Sequence, residues 1–243
     1  MRTSIGSFLK IVILMLSIAI LAVGIHAEDK TPVSPQIGWT DSFDFTGYAL
    51  GTEGRNEYFI LEPGYELVLK GIEDGDSVTL YITVLYDTIM VNGTPARVVE
   101  ERESVGGKLI EVSRNYLAIC ENTGNVFYFG EDVDLYENGE IIGHSGSWHA
   151  GEKDYKPGLM MPGTILLGSS YYQEIAPGKA MDRARIISTD KSFETPAGRF
   201  ENCLVTEETS SLEPDIKEQK IYAPGVGLIK DGSLYLVSYG SGK

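Results

Sequence analysis

Between Phe127 and His149 the chain reads FYFGEDVDLYENGEIIGHSGSWH. The stretch gathers an acidic triplet, Glu131, Asp132 and Asp134, with His144 and His149, two of the three histidines in the sequence. Carboxylate oxygens and imidazole nitrogens together suit a divalent cation such as Zn²⁺, and a carboxylate beside an imidazole also suits acid–base chemistry. The spacing matches no standard site. Tyr136 and Glu137 stand where a calcium-binding helix–loop–helix needs an oxygen ligand and a glycine. Gly143 and Gly146 do not suit a helical zinc motif, and Gly143-His-Ser-Gly-Ser147 breaks the serine-nucleophile pattern at its last position.

The element that must position these residues is a β-hairpin turning at Asn138-Gly139, a pair that tolerates positive φ. Counting outward, Glu137 faces Glu140, Leu135 faces Ile142 and Val133 faces His144. That register places Glu131 and His144 on a mainly apolar inner face with Phe127 and Phe129. Tyr128, Asp132 and Asp134 fall on the wetter face, the two aspartates about 7 Å apart. An enclosed Glu131 and His144 would need each other or a cation as partner. A bulge at Gly143 would move His144 to the aspartate side.

Elsewhere, short runs rich in β-branched and aromatic residues alternate with turn signals such as Glu73-Asp-Gly-Asp76, Asn92-Gly93, Gly106-Gly107 and Asp231-Gly232. No long segment has an apolar period of 3.6. The fold expected is all-β: a single antiparallel, strongly curved sheet or barrel-like domain over residues 56–243, after an irregular lead-in over 28–55. A long Pro/Gly loop is expected near 150–170, where its apolar residues could cap an open barrel end. A curved sheet can also enclose a ligand, with Trp148, Met160, Met161, Tyr171, Tyr172 and Glu174 as candidate lining residues. A hydrolytic pair, Glu131 with Glu174 or Asp182, is conceivable, but nothing in the sequence places these residues together.

Residues 1–27 read as a signal peptide: Arg2 and Lys10, then an apolar run from Ile11 to Val23, then Ala27 at the cut. The run is short for a bilayer span, so an N-terminal membrane anchor is the minor alternative and no stable span is expected after cleavage. The expected location is extracytoplasmic, periplasmic or secreted. Those residues carry two positive charges and no negative ones, so without them the formal charge of −15 becomes −17. Such an acidic protein is not expected to bind nucleic acid. Cys120 and Cys203 are a candidate disulfide, since export permits one, with two buried free thiols as the alternative.

Three patches add a resemblance. Phe129-Gly-Glu-Asp-Val-Asp134, Met161-Pro-Gly163 with Tyr171-Tyr-Gln-Glu174, and Thr195-Pro-Ala-Gly-Arg-Phe200 with Tyr222-Ala-Pro-Gly-Val-Gly-Leu228 resemble a group of exported bacterial and archaeal β-rich proteins of uncharacterised function. The resemblance implies export and a β-rich fold, and no activity. The function expected is therefore a non-catalytic binding protein for a small or lipid-like ligand or a cation. The alternatives are a metal-dependent hydrolase using the 131–149 hairpin and a structural or interaction protein of the cell envelope.

Overall fold

The computed structural model describes residues 38–242, so the signal peptide expected over 1–27 and the start of the lead-in lie outside the described residues. The strands are β1 (Leu50–Gly51), β2 (Gly54–Asn56), β3 (Phe59–Leu61), β4 (Tyr65–Glu73), β5 (Asp76–Val91), β6 (Thr94–Val105), β7 (Lys108–Cys120), β8 (Val126–Glu137) and β9 (Glu140–Gly143). They continue as β10 (Trp148–His149), β11 (Lys156–Met161), β12 (Ser170–Tyr172), β13 (Glu174–Ile175), β14 (Asp182–Thr195), β15 (Gly198–Ser210), β16 (Lys217–Ala223), β17 (Gly227–Asp231) and β18 (Leu234–Ser241).

Sixteen of these strands form one large antiparallel sheet that is nearly closed into a barrel with one seam. Two meanders build it, β4 to β8 and β14 to β18, joined where β18 pairs with β4. The turns follow the turn chemistry of the sequence: Asn92-Gly93 and Asn138-Gly139 both adopt positive φ. At the seam, β12 extends one edge by pairing with β14 and β13 extends the other by pairing with β11. The chain itself crosses between the two edges at Gln173, whose N–H donates to the Asp182 carbonyl at 2.8 Å.

The small hairpin of β2 and β3 stands outside this sheet and crosses one end of the barrel. It is pinned on opposite sides. The buried Asn56 side chain donates to the carbonyls of Gly124 and Pro162, at 2.8 and 2.9 Å, while the Tyr58 hydroxyl donates to the Asn202 carbonyl at 3.1 Å. The expected cap therefore comes from residues 54–61. The stretch from 150 to 170 is mostly turn and loop, as expected, interrupted by β11, which pairs with both β8 and β13. The lead-in is ordered from its first described residues: Thr40 bridges Tyr171, and β1 pairs with Ile119 and Cys120.

The disulfide expectation is corrected. Cys120 and Cys203 are both buried and both free. Cys120 ends β7 and Cys203 lies in β15, and six strands separate them in one direction round the sheet. They sit on different walls of the barrel.

Candidate functional site in the barrel interior

Strand alternation gives the barrel two kinds of lining. At the end covered by the β2–β3 hairpin, the interior is apolar, with Ile60, Leu67, Val84, Leu117, Val226 and Leu228. Deeper in, a polar belt follows, with Glu101, Asn115, Gln173, Glu174, Glu208 and Lys220. Between them lies a cavity of about 110 Å³, taken as the space open to the centres of water-sized molecules. That is several times what one water needs.

One half of the belt is internally paired. Lys220 Nζ lies 3.3 Å from Glu208 Oε2 and 3.6 Å from Asp231 Oδ2. Glu208 Oε1 also accepts from the Thr206 hydroxyl at 3.1 Å and from the Gln173 amide at 3.3 Å. Burial works against the Lys220 charge, but Asp231 and Glu208 outweigh it and hold the ammonium well above its ordinary pKa.

The other half is not paired. Glu131 is fully buried and Glu174 is 2% exposed, and none of their four carboxylate oxygens has a hydrogen-bond partner. Burial pushes both carboxyls well above their ordinary pKa. The charge of Glu111 adds to this at Glu131, and those of Asp182 and Glu131 add to it at Glu174. The Tyr128 hydroxyl beside Glu131 and the Trp148 indole beside Glu174 act in the opposite direction without reaching hydrogen-bonding geometry. The Tyr128 hydroxyl donates to Asn115 Oδ1 instead. Asp182, raised by burial to about 6, completes the group. Further along the same inner faces, burial raises Glu103 to about 8 and Glu111 to about 7; the two face each other across β6 and β7.

The hairpin register expected from counting is corrected in two places. Across β7 and β8, Asn115 pairs with Glu131 but Leu117 pairs with Tyr128, so β8 carries an extra residue at Phe129-Gly130. Gly130 has φ +139°, and a Cβ there would lie 2.3 Å from the Trp148 carbonyl oxygen. This bulge turns Tyr128 inward beside Glu131 and sends Phe127 and Phe129 to the opposite face. There Phe127 packs edge-on against Phe43 and Phe45 of the lead-in. The second bulge is at Ile142: Leu135 pairs with Gly143 and Tyr136 with Ile141.

His144 consequently leaves the inner face. Its side chain is 65% exposed, and its Nδ1 lies 2.9 Å from Asp134 Oδ1, so the expected Glu131–His144 pair does not form. His149 Nε2 lies 3.0 Å from Asp132 Oδ1, and its Nδ1 lies 3.3 Å from Glu152. Arg114 and the Tyr116 hydroxyl take further oxygens, the first of Asp134 and the second of Asp132. The five residues expected as metal ligands are thus divided by the sheet, Glu131 inside and the other four outside in two separate pairs. Among the described residues no three His, Cys, Asp or Glu side chains are grouped to hold a metal ion.

Of the expected lining residues, Met160 and Glu174 line the cavity. Trp148 packs edge-on against Tyr128 behind Glu174, and Met161 is buried. Tyr171 is buried with its hydroxyl unpartnered. Tyr172 lies apart, against Trp39 and Arg183. The residues that sequence reading missed are Glu101, Glu103, Glu111, Asn115, Gln173, Glu208 and Lys220. A signal existed: Val99, Glu101 and Glu103 share one face of β6, as Glu218, Lys220 and Tyr222 share one face of β16, so charges sit on the face that also carries apolar residues.

No family model, curated protein or solved structure matches this chain.

Proposed function

We propose that this is a non-catalytic, extracytoplasmic binding protein that takes a small molecule into the barrel interior. The observation that carries the reading is the cavity with Glu174 in its wall and Glu131 behind it. Four buried carboxylate oxygens without partners are costly, and a bound ligand's polar group would satisfy those of Glu174. The apolar end gives the remainder of such a ligand a place to leave water. Outward positions such as Lys70, Thr79, Thr83, Glu100 and Arg102 are polar or charged, which suits a barrel surrounded by water rather than lipid.

Native mass spectrometry of the protein from its own host tests this. Wild type should carry a non-covalent mass that denaturation removes. Val226→Trp, which fills the apolar end, should lose it while keeping a cooperative melt, and Val84→Phe serves if the first variant does not fold. A clean unliganded mass in every wild-type preparation would sink the reading.

A second reading rests on the interacting carboxyls of Glu131, Glu174 and Asp182, because acids driven to different pKa values in one cavity suit acid–base hydrolysis. It is weaker, because nothing in the cavity marks a nucleophile. Turnover of a chromogenic ester or glycoside that Glu174→Gln abolishes would move the assignment to that reading.

A further inference from the structure

The cavity's charges do not balance. Lys220 is the basic residue of the lining, and it is already engaged by Glu208 and Asp231. Among the described residues no ion pair reaches Glu101, Glu174 or Asp182 in the lining, nor Glu131 behind Glu174. A neutral apolar ligand would leave these carboxyls as they are, and an anionic one would add repulsion. A metal ion needs several donors converging on one point, whereas these carboxyls are spread round the wall on β6, β13 and β14, with Glu131 of β8 behind them. An ammonium or guanidinium group differs, because its several N–H donors point in different directions and can serve oxygens on different strands.

We propose that the ligand is an organic cation whose ammonium or guanidinium head seats against Glu174, with Glu131 behind it adding negative charge, and an apolar body lying toward Val84, Leu117, Val226 and Leu228. This rests on the cavity-binding reading and names its ligand class. The partly exposed acids Glu73, Glu103 and Glu111 extend the negative lining away from the capped end, in the direction that would draw a cation inward.

The pH dependence follows from the groups that face the pair. Glu131 faces Glu111 and Glu101 from β7 and β6, Asp182 from β14 and the Tyr128 hydroxyl. Glu174 faces Asp182, Glu131, Lys220 from β16 and the Trp148 indole. Without ligand, this crowd of buried acids holds protons. A cation enters by displacing one, so its affinity rises with pH.

Isothermal titration with straight-chain alkyl amines, alcohols and carboxylates of matched length, butyl to decyl, reads the head group directly. The amines should bind at least ~10-fold tighter than the matched alcohols, and the carboxylates more weakly than either. Amine affinity should rise by up to about 10-fold per pH unit between pH 5.5 and 7.5, and titration in buffers of different ionisation enthalpy should show proton release. Glu174→Gln and Glu131→Gln, close in shape to the parent side chain, should bring amine affinity to within ~3-fold of alcohol affinity while leaving the alcohol unchanged. Alcohols binding as tightly as amines, or carboxylates binding best, would overturn the cation assignment and leave cavity binding intact. No binding by any series would overturn both.

Discussion

Neighbouring acids on β8 meet opposite surroundings. Asp132 and Asp134 lie on the outer face, where Tyr116, His149, Arg114 and His144 reach them. Glu131, immediately before Asp132, lies on the inner face with no hydrogen-bond partner. The outer acids are structural. Asp132 accepts at 2.6 Å from the hydroxyl of Tyr116, a residue only 3% exposed whose hydroxyl burial holds well above its ordinary pKa. Removing the acceptor leaves that hydroxyl unpaired. Asp132→Ala should therefore destabilise by ~1–2 kcal/mol in urea denaturation, with or without added Zn²⁺. A loss that appears only when Zn²⁺ is present would instead make Asp132 a metal ligand.

At the scale of strands, the seam is the vulnerable feature. Gly158 on β11 lies so close to the crossing chain that a Cβ there would be 2.0 Å from the Gln173 carbonyl oxygen, a backbone atom with little room to move. Gly158→Ala should cost about 3 kcal/mol and disturb Gln173 and Glu174 with it. Gly143→Ala, whose Cβ would meet nothing nearer than Leu135 at 4.0 Å, should stay within about 0.5 kcal/mol. Equal melting temperatures for the two variants would show that the seam tolerates being opened. The strands and turns themselves were legible in the sequence, since Asn92-Gly93 and Asn138-Gly139 are local signals with a local cause. The bulges at Phe129-Gly130 and Ile142 were not, because register there answers to the Trp148 backbone and to neighbouring strands in the barrel. The carboxyl belt was hidden for a different reason. In β6 the run Val98 to Glu103 puts acids on both faces, and a two-residue period cannot say which face closes inward until the barrel does.

For the whole molecule, the interior acids set how stability responds to pH. Glu103, Glu111 and Asp182 are raised to about 8, 7 and 6, and Glu131 and Glu174 also lie well above the ordinary carboxyl value. A raised carboxyl pKa means the folded chain keeps protons that the unfolded chain has already released. Between about pH 4.5 and pH 8 the unfolded state therefore binds fewer protons, and stability must fall as pH rises, by up to about 1.4 kcal/mol per pH unit for each such proton. The partial exposure of Glu103 and Glu111 reduces their share. The unliganded protein should consequently melt on the order of 5 °C lower at pH 8 than at pH 5. The double variant Glu103→Gln, Glu111→Gln removes two of the titrating groups and should flatten that slope, most visibly above pH 6. A bound alkyl amine should flatten it too, since pairing with a cation restores the value of ionising Glu131 and Glu174. A melting temperature that rises from pH 5 to pH 8 would mean that these carboxyls are already ionised in the folded barrel, with water rather than burial governing its interior.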